Sequence, residues 1–179
     1  GIAVKNLNND FILLNGNQIA SVLIYYLISQ RIEKGLMKGN EYIVKTIVTT
    51  DLLSDIAAKF NVEYFNTLTG FKYIAEIIRE NEGKKLFIGG GEESYGYLAG
   101  EFVRDKDAVM SAALIAETAA WCKEKAKSFY EMLIDIYTEF GLYKEVLVNL
   151  VKKGKSGAEE IQDMMKAFRE GPPETIGGS

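Results

Sequence analysis

The stretch LFIGGGEESYGY, residues 86–97, sets a short apolar run directly before three glycines, two glutamates and a serine. Leu86 to Ile88 reads as a short buried strand. In open α/β sheets ligands gather outside the carboxyl ends of the strands, so the segment after Ile88 stands where a binding loop is expected. Gly89, Gly90 and Gly91 open backbone conformations closed to other residues and let a ligand approach the main chain closely. A flexible, solvated turn is the plain alternative.

Upstream of this stretch, strands and helices alternate. Thr69 is expected to cap a helix running to about Asn81, with Phe71, Ile74, Ile77 and Ile78 on one side. Tyr42 to Val48 is rich in β-branched residues and reads as a strand, Asp51 caps a helix to Phe60, and Val62 to Phe65 reads as a further short strand. At the start, Ile2 to Val4 and Phe11 to Leu14 flank the turn-forming Asn6 to Asp10 as a hairpin. From Asn17 to near Gly35, Ile19, Val22, Leu23, Tyr26 and Leu27 recur at helical spacing, with one face toward a core.

Downstream, Asp107 to about Lys127 reads as an Ala-rich helix, with Asp105 or Asp107 available as its cap. Ser128 and Glu131 have the spacing of a capping box for a second helix, stopped after Phe140 by Gly141. Val146, Val148 and Leu150 suggest a last strand, and Ser156 with Glu159 caps a helix ending near Gly171. Strands separated by helices predict an α/β domain with three α/β/α layers around a mixed, mostly parallel sheet of about four strands. Residues 1–170 are expected to form this single domain. The tail GPPETIGGS, residues 171–179, reads as a linker, and both ends read as cut from a longer chain with a further C-terminal domain.

Composition narrows the chemistry. With 47% hydrophobic and 26% charged residues over 179 positions, the chain has the profile of an ordinary globular domain rather than a disordered one. A net charge of -4 speaks against nucleic acid and anionic membranes as partners, and no apolar run is long enough to span a bilayer. Cys122 is the only cysteine, which fits a reducing cytoplasm and rules out an internal disulfide. The absence of histidine removes Ser-His-Asp and Cys-His nucleophile systems and HExxH zinc sites, leaving carboxylates, Lys, Tyr or water for proton transfer.

The glycine-rich segment lacks the Lys and Ser/Thr of a P-loop, and a GxGxxG fingerprint would need glycine at Ser94. Glu92 and Glu93 sit where a phosphate would be repelled. A carboxylate accepts from two neighbouring hydroxyls, so carboxylates and a serine beside exposed amides suit a sugar. Arg104, Asp105, Lys106 and Asp107 bring both signs of charge to a helix start. They form either a solvated helix end or a phosphate contact, Lys106 being suited also to proton donation. Thr69 and Gly70 stand at another strand-to-helix junction, where free N–H groups favour a polar or anionic ligand. Tyr95 and Tyr97 read as packing residues of the loop rather than as stacking platforms.

Four motifs in order, LNGNQ at 14–18, TGFK at 69–72, GEES at 91–94 and VRDKD at 103–107, resemble the third domain of the α-D-phosphohexomutases, the phosphoglucomutase and phosphomannomutase family. The likeness spans nearly the whole chain. It implies that Glu92 and Ser94 contact hexose hydroxyls, with Glu93 in a variable place, and that Thr69 and Gly70 line the same cleft. It further implies that Lys106 approaches the reacting sugar as a phosphate contact or acid/base group, supported by Arg104. The family mechanism passes a phosphoryl group between a phosphoserine and a hexose monophosphate through a hexose bisphosphate, exchanging 1- and 6-phosphates. The resemblance places the phosphoserine and the Mg2+ ligands outside this chain, which holds no metal-binding motif of its own, so the isolated domain is expected to be inactive. A stand-alone sugar-phosphate or nucleotide-binding module is the competing reading.

Overall fold

The computed structural model describes residues 1–175. The expected hairpin is present: β1 (Ile2–Lys5) pairs antiparallel with β2 (Phe11–Leu14), Ile2 opposite Leu14. Its turn is closed by the Asn6 side chain, whose Oδ1 accepts from the N–H groups of Asn8 and Asp10 at 2.9 and 3.0 Å. Helix α1 (Gly16–Glu33) then opens on a capping box, Asn15 accepting from the Gln18 N–H while the Gln18 side chain accepts from that of Asn15. Every residue from Ile19 to Ile24 is buried, so α1 hides far more than the single face expected. The reason is its position, since it touches α2, α4, α5 and the sheet at once.

The remaining elements are β3 (Glu41–Thr46), α2 (Leu52–Lys59), β4 (Glu63–Thr67), α3 (Phe71–Asn81), β5 (Leu86–Gly91), β6 (Tyr97–Leu98), α4 (Ala108–Glu124), α5 (Phe129–Phe140) and α6 (Gly154–Glu170). A four-stranded sheet runs in the order β4-β3-β5-β6, with β3 parallel to both neighbours and β6 antiparallel to β5. The layers on its two faces follow from side-chain alternation. Ile43 and Ile88 join the cluster that contains α1, α2 and α5, whereas Tyr42, Val44 and Phe87 pack on Phe71, Ile74 and Ile78 of α3. Both faces of β3 are therefore covered, and all six of its residues are buried.

Two local expectations fail for identifiable reasons, and a third, left open between two residues, is resolved. The glycines belong to the strand, not to the loop, because β5 extends to Gly91. None of the three needs a positive φ; a Cβ on Gly90 would stand 2.1 Å from the Val44 carbonyl oxygen. Close approach to β3, not turn flexibility, requires glycine there. Asp51 makes no side-chain cap on α2, because its carboxylate reaches the ammonium of the buried Lys45 at 2.9 Å instead. Asp107, not Asp105, caps α4, accepting from the N–H groups of Val109 and Met110.

Two compact units lie along the chain, Gly1–Lys144 and Glu145–Ser179. The first is completed by α4 and α5, the latter opened by the Ser128–Glu131 capping box and ended at Gly141. In the second, the strand expected around Val146, Val148 and Leu150 does not form. These side chains are exposed, and apolar alternation makes a strand only where a neighbouring edge takes its N–H and C=O groups. Helix α6 starts at Gly154, so Ser156 lies inside it and makes no cap. Of the expected linker 171–179, residues 176–179 lie outside those described. Among the described residues no helix is long and apolar enough to cross a membrane.

The core also holds groups that are protonated at neutral pH. Burial pushes the Cys122 thiol from 9.0 up to about 11 and the Tyr42 phenol from 10.0 up to about 12, and it raises Tyr97 in the same sense. Each binds its proton more tightly folded than unfolded, so the stability it lends is complete below its unfolded value and is lost as the pH rises through the folded one. The denaturation midpoint is expected to decline steadily above about pH 9, measured by urea titration, and a midpoint constant up to about pH 11 would contradict this. Gly90→Ala is expected to destabilise the fold by about 3 kcal/mol or more in the same titration, since the obstructing atom is main chain and cannot swing aside.

Candidate functional site

The three parallel strands end at one edge of the sheet, where Thr46 is opposite Thr67 and Lys45 is opposite Gly91. From β3 the chain goes through α2 to β4 on one side, then through α3 to β5 on the other, so the connections diverge at β3. Such a divergence opens a crevice beyond the carboxyl ends of the strands. The turns after Thr46, Thr67 and Gly91 all lead into it.

The last of these is a hairpin loop. Gly91 is opposite Tyr97, and within the loop the Glu92 N–H donates to the Gly96 carbonyl at 2.7 Å. Tyr95, at φ +71, turns the loop and is exposed together with Ser94. Glu92 itself is almost covered, 9% exposed, and its Oε1 accepts from the Gly70 N–H at 3.0 Å. That bond explains the helix start. Thr69 does not cap α3; Gly70 takes the N-cap position at φ 124, with no side-chain cap, and Thr69 is left exposed beside it. The carboxylate from the neighbouring loop satisfies the main-chain donor at this junction.

Lys106 reaches the same place from the other direction. A Cβ on Gly96 would stand 3.0 Å from both Glu92 Oε2 and Lys106 Cδ, so the lysine stem crosses the loop beside the carboxylate. Its ammonium lies 5.4 Å from the centre of the Phe71 ring and 3.2 Å from Asp105 Oδ1. The Lys106 main-chain N–H and then its ammonium hold the Asp105 carboxyl below the usual carboxylate range.

Lys106 borders two cavities. One, of about 520 Å³, is lined by Glu92, Tyr95, Gly96, Asp107 and the apolar start of α1, including Ile19 and Leu23. The other, of about 860 Å³, is lined by Phe71, Lys72, Arg79, Arg104 and Asp105. Arg104 faces this second space, its guanidinium donating to the Glu101 carbonyl and pairing with Glu82, each at 3.0 Å. Of the residues expected from sequence, Gly70, Glu92 and Lys106 converge; Ser94 and Thr69 are exposed and line neither cavity, and Arg104 pairs with Glu82. Among the described residues no group of three or more His, Cys, Asp or Glu can hold a metal ion.

Sequence reasoning missed the support beneath the loop. Thr46 falls within the run 42–48 read as a strand and Thr49 just beyond it, yet both are buried and both lie within 3.3 Å of Glu93 Oε2. The available signal was their place at the carboxyl end of a strand, where buried hydroxyls need partners.

Comparison with known proteins places this geometry in a family. The family model "Phosphoglucomutase/phosphomannomutase, alpha/beta/alpha domain III" matches residues 15–140. The phosphoglucomutase of Staphylococcus aureus strain MRSA252 is 36% identical over 178 residues, covering 99% of this chain and 32% of its own length. That of strain N315 is 35% identical over the same span. The chain thus spans about one third of the length of the curated relatives it matches. The open form of the Paramecium exocytosis-sensitive phosphoprotein parafusin, a phosphoglucomutase, shares the fold with a TM-score of 0.59 at 18% identity, covering 90% of this chain and 27% of that one. With a domain model matched over most of its length and the α/β/α layers that model describes, the chain belongs to the phosphoglucomutase/phosphomannomutase family and is its domain III.

Proposed function

We propose that this chain is the sugar-recognition domain of a cytoplasmic phosphohexomutase that interconverts hexose 1-phosphate and hexose 6-phosphate. The observation that carries the reading is the meeting of Glu92, the Gly70 N–H and Lys106 at the carboxyl edge of the sheet. Glu92 spends one carboxylate oxygen on Gly70 and keeps the other to accept from a sugar hydroxyl. Ser94 at the loop tip adds a hydroxyl that both donates and accepts, and Thr69 borders the same opening. Lys106, a flexible cation beside Glu92, contacts the phosphate or moves a proton at the sugar oxygen that is phosphorylated. Arg104 acts at longer range from the neighbouring cavity.

The chemistry of such an enzyme is phosphoryl transfer through a phosphoserine and a hexose bisphosphate, which depends mainly on positioning and charge stabilisation. Mg2+ supplies charge neutralisation in that transfer. The described residues do not make a site for it, so no step through the metal is assigned to this domain. In this reading the metal, the phosphoserine and the remaining phosphate contacts come from other domains of the parent chain, and the 179-residue chain alone has no mutase activity.

Two measurements test the proposal. In the full-length protein carrying this domain, Glu92→Ala is expected to lower kcat/KM for glucose 1-phosphate by about 2–5 kcal/mol of transition-state stabilisation, with folding unchanged by circular dichroism. Wild-type activity in that variant sinks the assignment. Lys106→Met is expected to cost more than Arg104→Ala, because the Arg104 guanidinium is engaged with Glu82 and Glu101; the reverse order would remove Lys106 from its role.

A further inference from the structure

Glu93 occupies the variable place of the loop, yet it is turned inward. Its N–H donates to Thr49 Oγ1 at 3.2 Å, and its Oε2 lies 3.3 Å from Thr46 Oγ1 and 3.2 Å from Thr49 Oγ1. Its carbonyl oxygen stands where a Cβ on residue 16 would be only 1.9 Å away, so Gly16 at the start of α1 leaves the room it needs. The two threonine hydroxyls are 2.8 Å apart. Their protons suffice for one bond between them and one to the carboxylate, while Thr49 Oγ1 takes the Glu93 N–H. Both threonines are almost fully buried, at 0% and 2% exposure.

The turn carrying Thr49 is itself held from two sides. The Lys45 ammonium, on a side chain 1% exposed, donates to the carbonyls of Thr49 at 3.0 Å and Thr46 at 3.5 Å and to Asp51 Oδ1 at 2.9 Å. Three acceptors match its three N–H groups, which is what a buried ammonium requires. From the side, Asn17 Oδ1 accepts from the Thr50 N–H at 3.1 Å. An unbroken set of contacts therefore runs from Lys45 through Thr49 to Glu93, the residue between Glu92 and Ser94.

We propose that Thr46 and Thr49, seated by Lys45, are positioning residues that fix Glu93 as an inward anchor and thereby hold Glu92 and Ser94 toward the sugar. The proposal rests on the loop being the sugar contact. Glu93 itself does not touch substrate; it sets where its two neighbours point.

The test separates the anchor from the function. In the 179-residue chain, amide hydrogen exchange at Glu93 is expected to speed up on the order of tenfold in Thr49→Val and in Lys45→Met. Thr49→Ser should restore the wild-type rate, with Ile43 and Val44 unchanged throughout as reporters of an intact sheet. Unchanged exchange at Glu93 in Thr49→Val overturns the anchor. In the full-length protein, Thr49→Val is expected to raise KM for glucose 1-phosphate about tenfold with a smaller change in kcat, and Thr49→Ser to rescue it. Faster exchange with KM unmoved overturns the positioning role. A wild-type protein without mutase activity would instead defeat the functional reading, while the exchange rates still decide whether Glu93 is anchored.

Discussion

At Gly90 the main chain of β5 passes so close to β3 that no side chain fits between them. Much of the site depends on this approach. It lets β5 stay paired with β3 up to Lys45 and Gly91, so the following loop leaves from a rigid ladder and not from a frayed end. Glycine in a strand gives up roughly 0.5–1 kcal/mol of conformational freedom relative to alanine. The ladder bonds to both neighbours and the aromatic packing beneath, Tyr42 against Phe87 at 5.6 Å, offset that loss. A side chain at this position would move β5 away from β3, and Glu92 would no longer meet Gly70.

The charges around the crevice are distributed by the same packing. Lys45 and Glu41 mark the two ends of β3 and are both buried, and each is compensated by main-chain groups more than by a single ion partner. Burial alone pushes the Glu41 carboxyl up, but the N–H groups of Lys38 and Gly39, with Arg31 at 3.7 Å, outweigh it and hold it below the usual carboxylate range. Glu92 at the crevice also accepts from the main chain, on Oε1 from the Gly70 N–H. A nearly buried carboxylate with an oxygen to spare, next to a lysine that is half exposed, suits a ligand carrying both hydroxyls and a phosphate.

Much of the architecture was legible from pattern. The hairpin at the start, the alternation that gives a three-layer α/β/α domain, the capping box at Ser128 and the stop at Gly141 all rest on interactions between residues close in sequence. The strand read into Val146 to Leu150 fails for the opposite reason, because a strand exists only through an edge that takes its hydrogen bonds. The same distinction separates Thr69 and Asp51 from Ser128. All three have the right side chain for a cap, but Gly70 and Lys45 draw on partners from other elements, Glu92 and Asp51.

By itself, then, the sequence determined the layer order, the element periods and the presence of a Glu, Ser and Lys set in motifs resembling a phosphohexomutase domain. Local propensity, burial patterning and residue chemistry are written into neighbouring positions, so they can be read there. Only the tertiary structure decided that Gly89 to Gly91 are strand, that Arg104 turns to Glu82 while the Lys106 stem passes beside Glu92, and that Lys45 and Thr49 stand beneath the loop. Each of those outcomes depends on distances between residues roughly ten to fifty positions apart, which are set when helices and strands pack and leave no periodic trace in the chain.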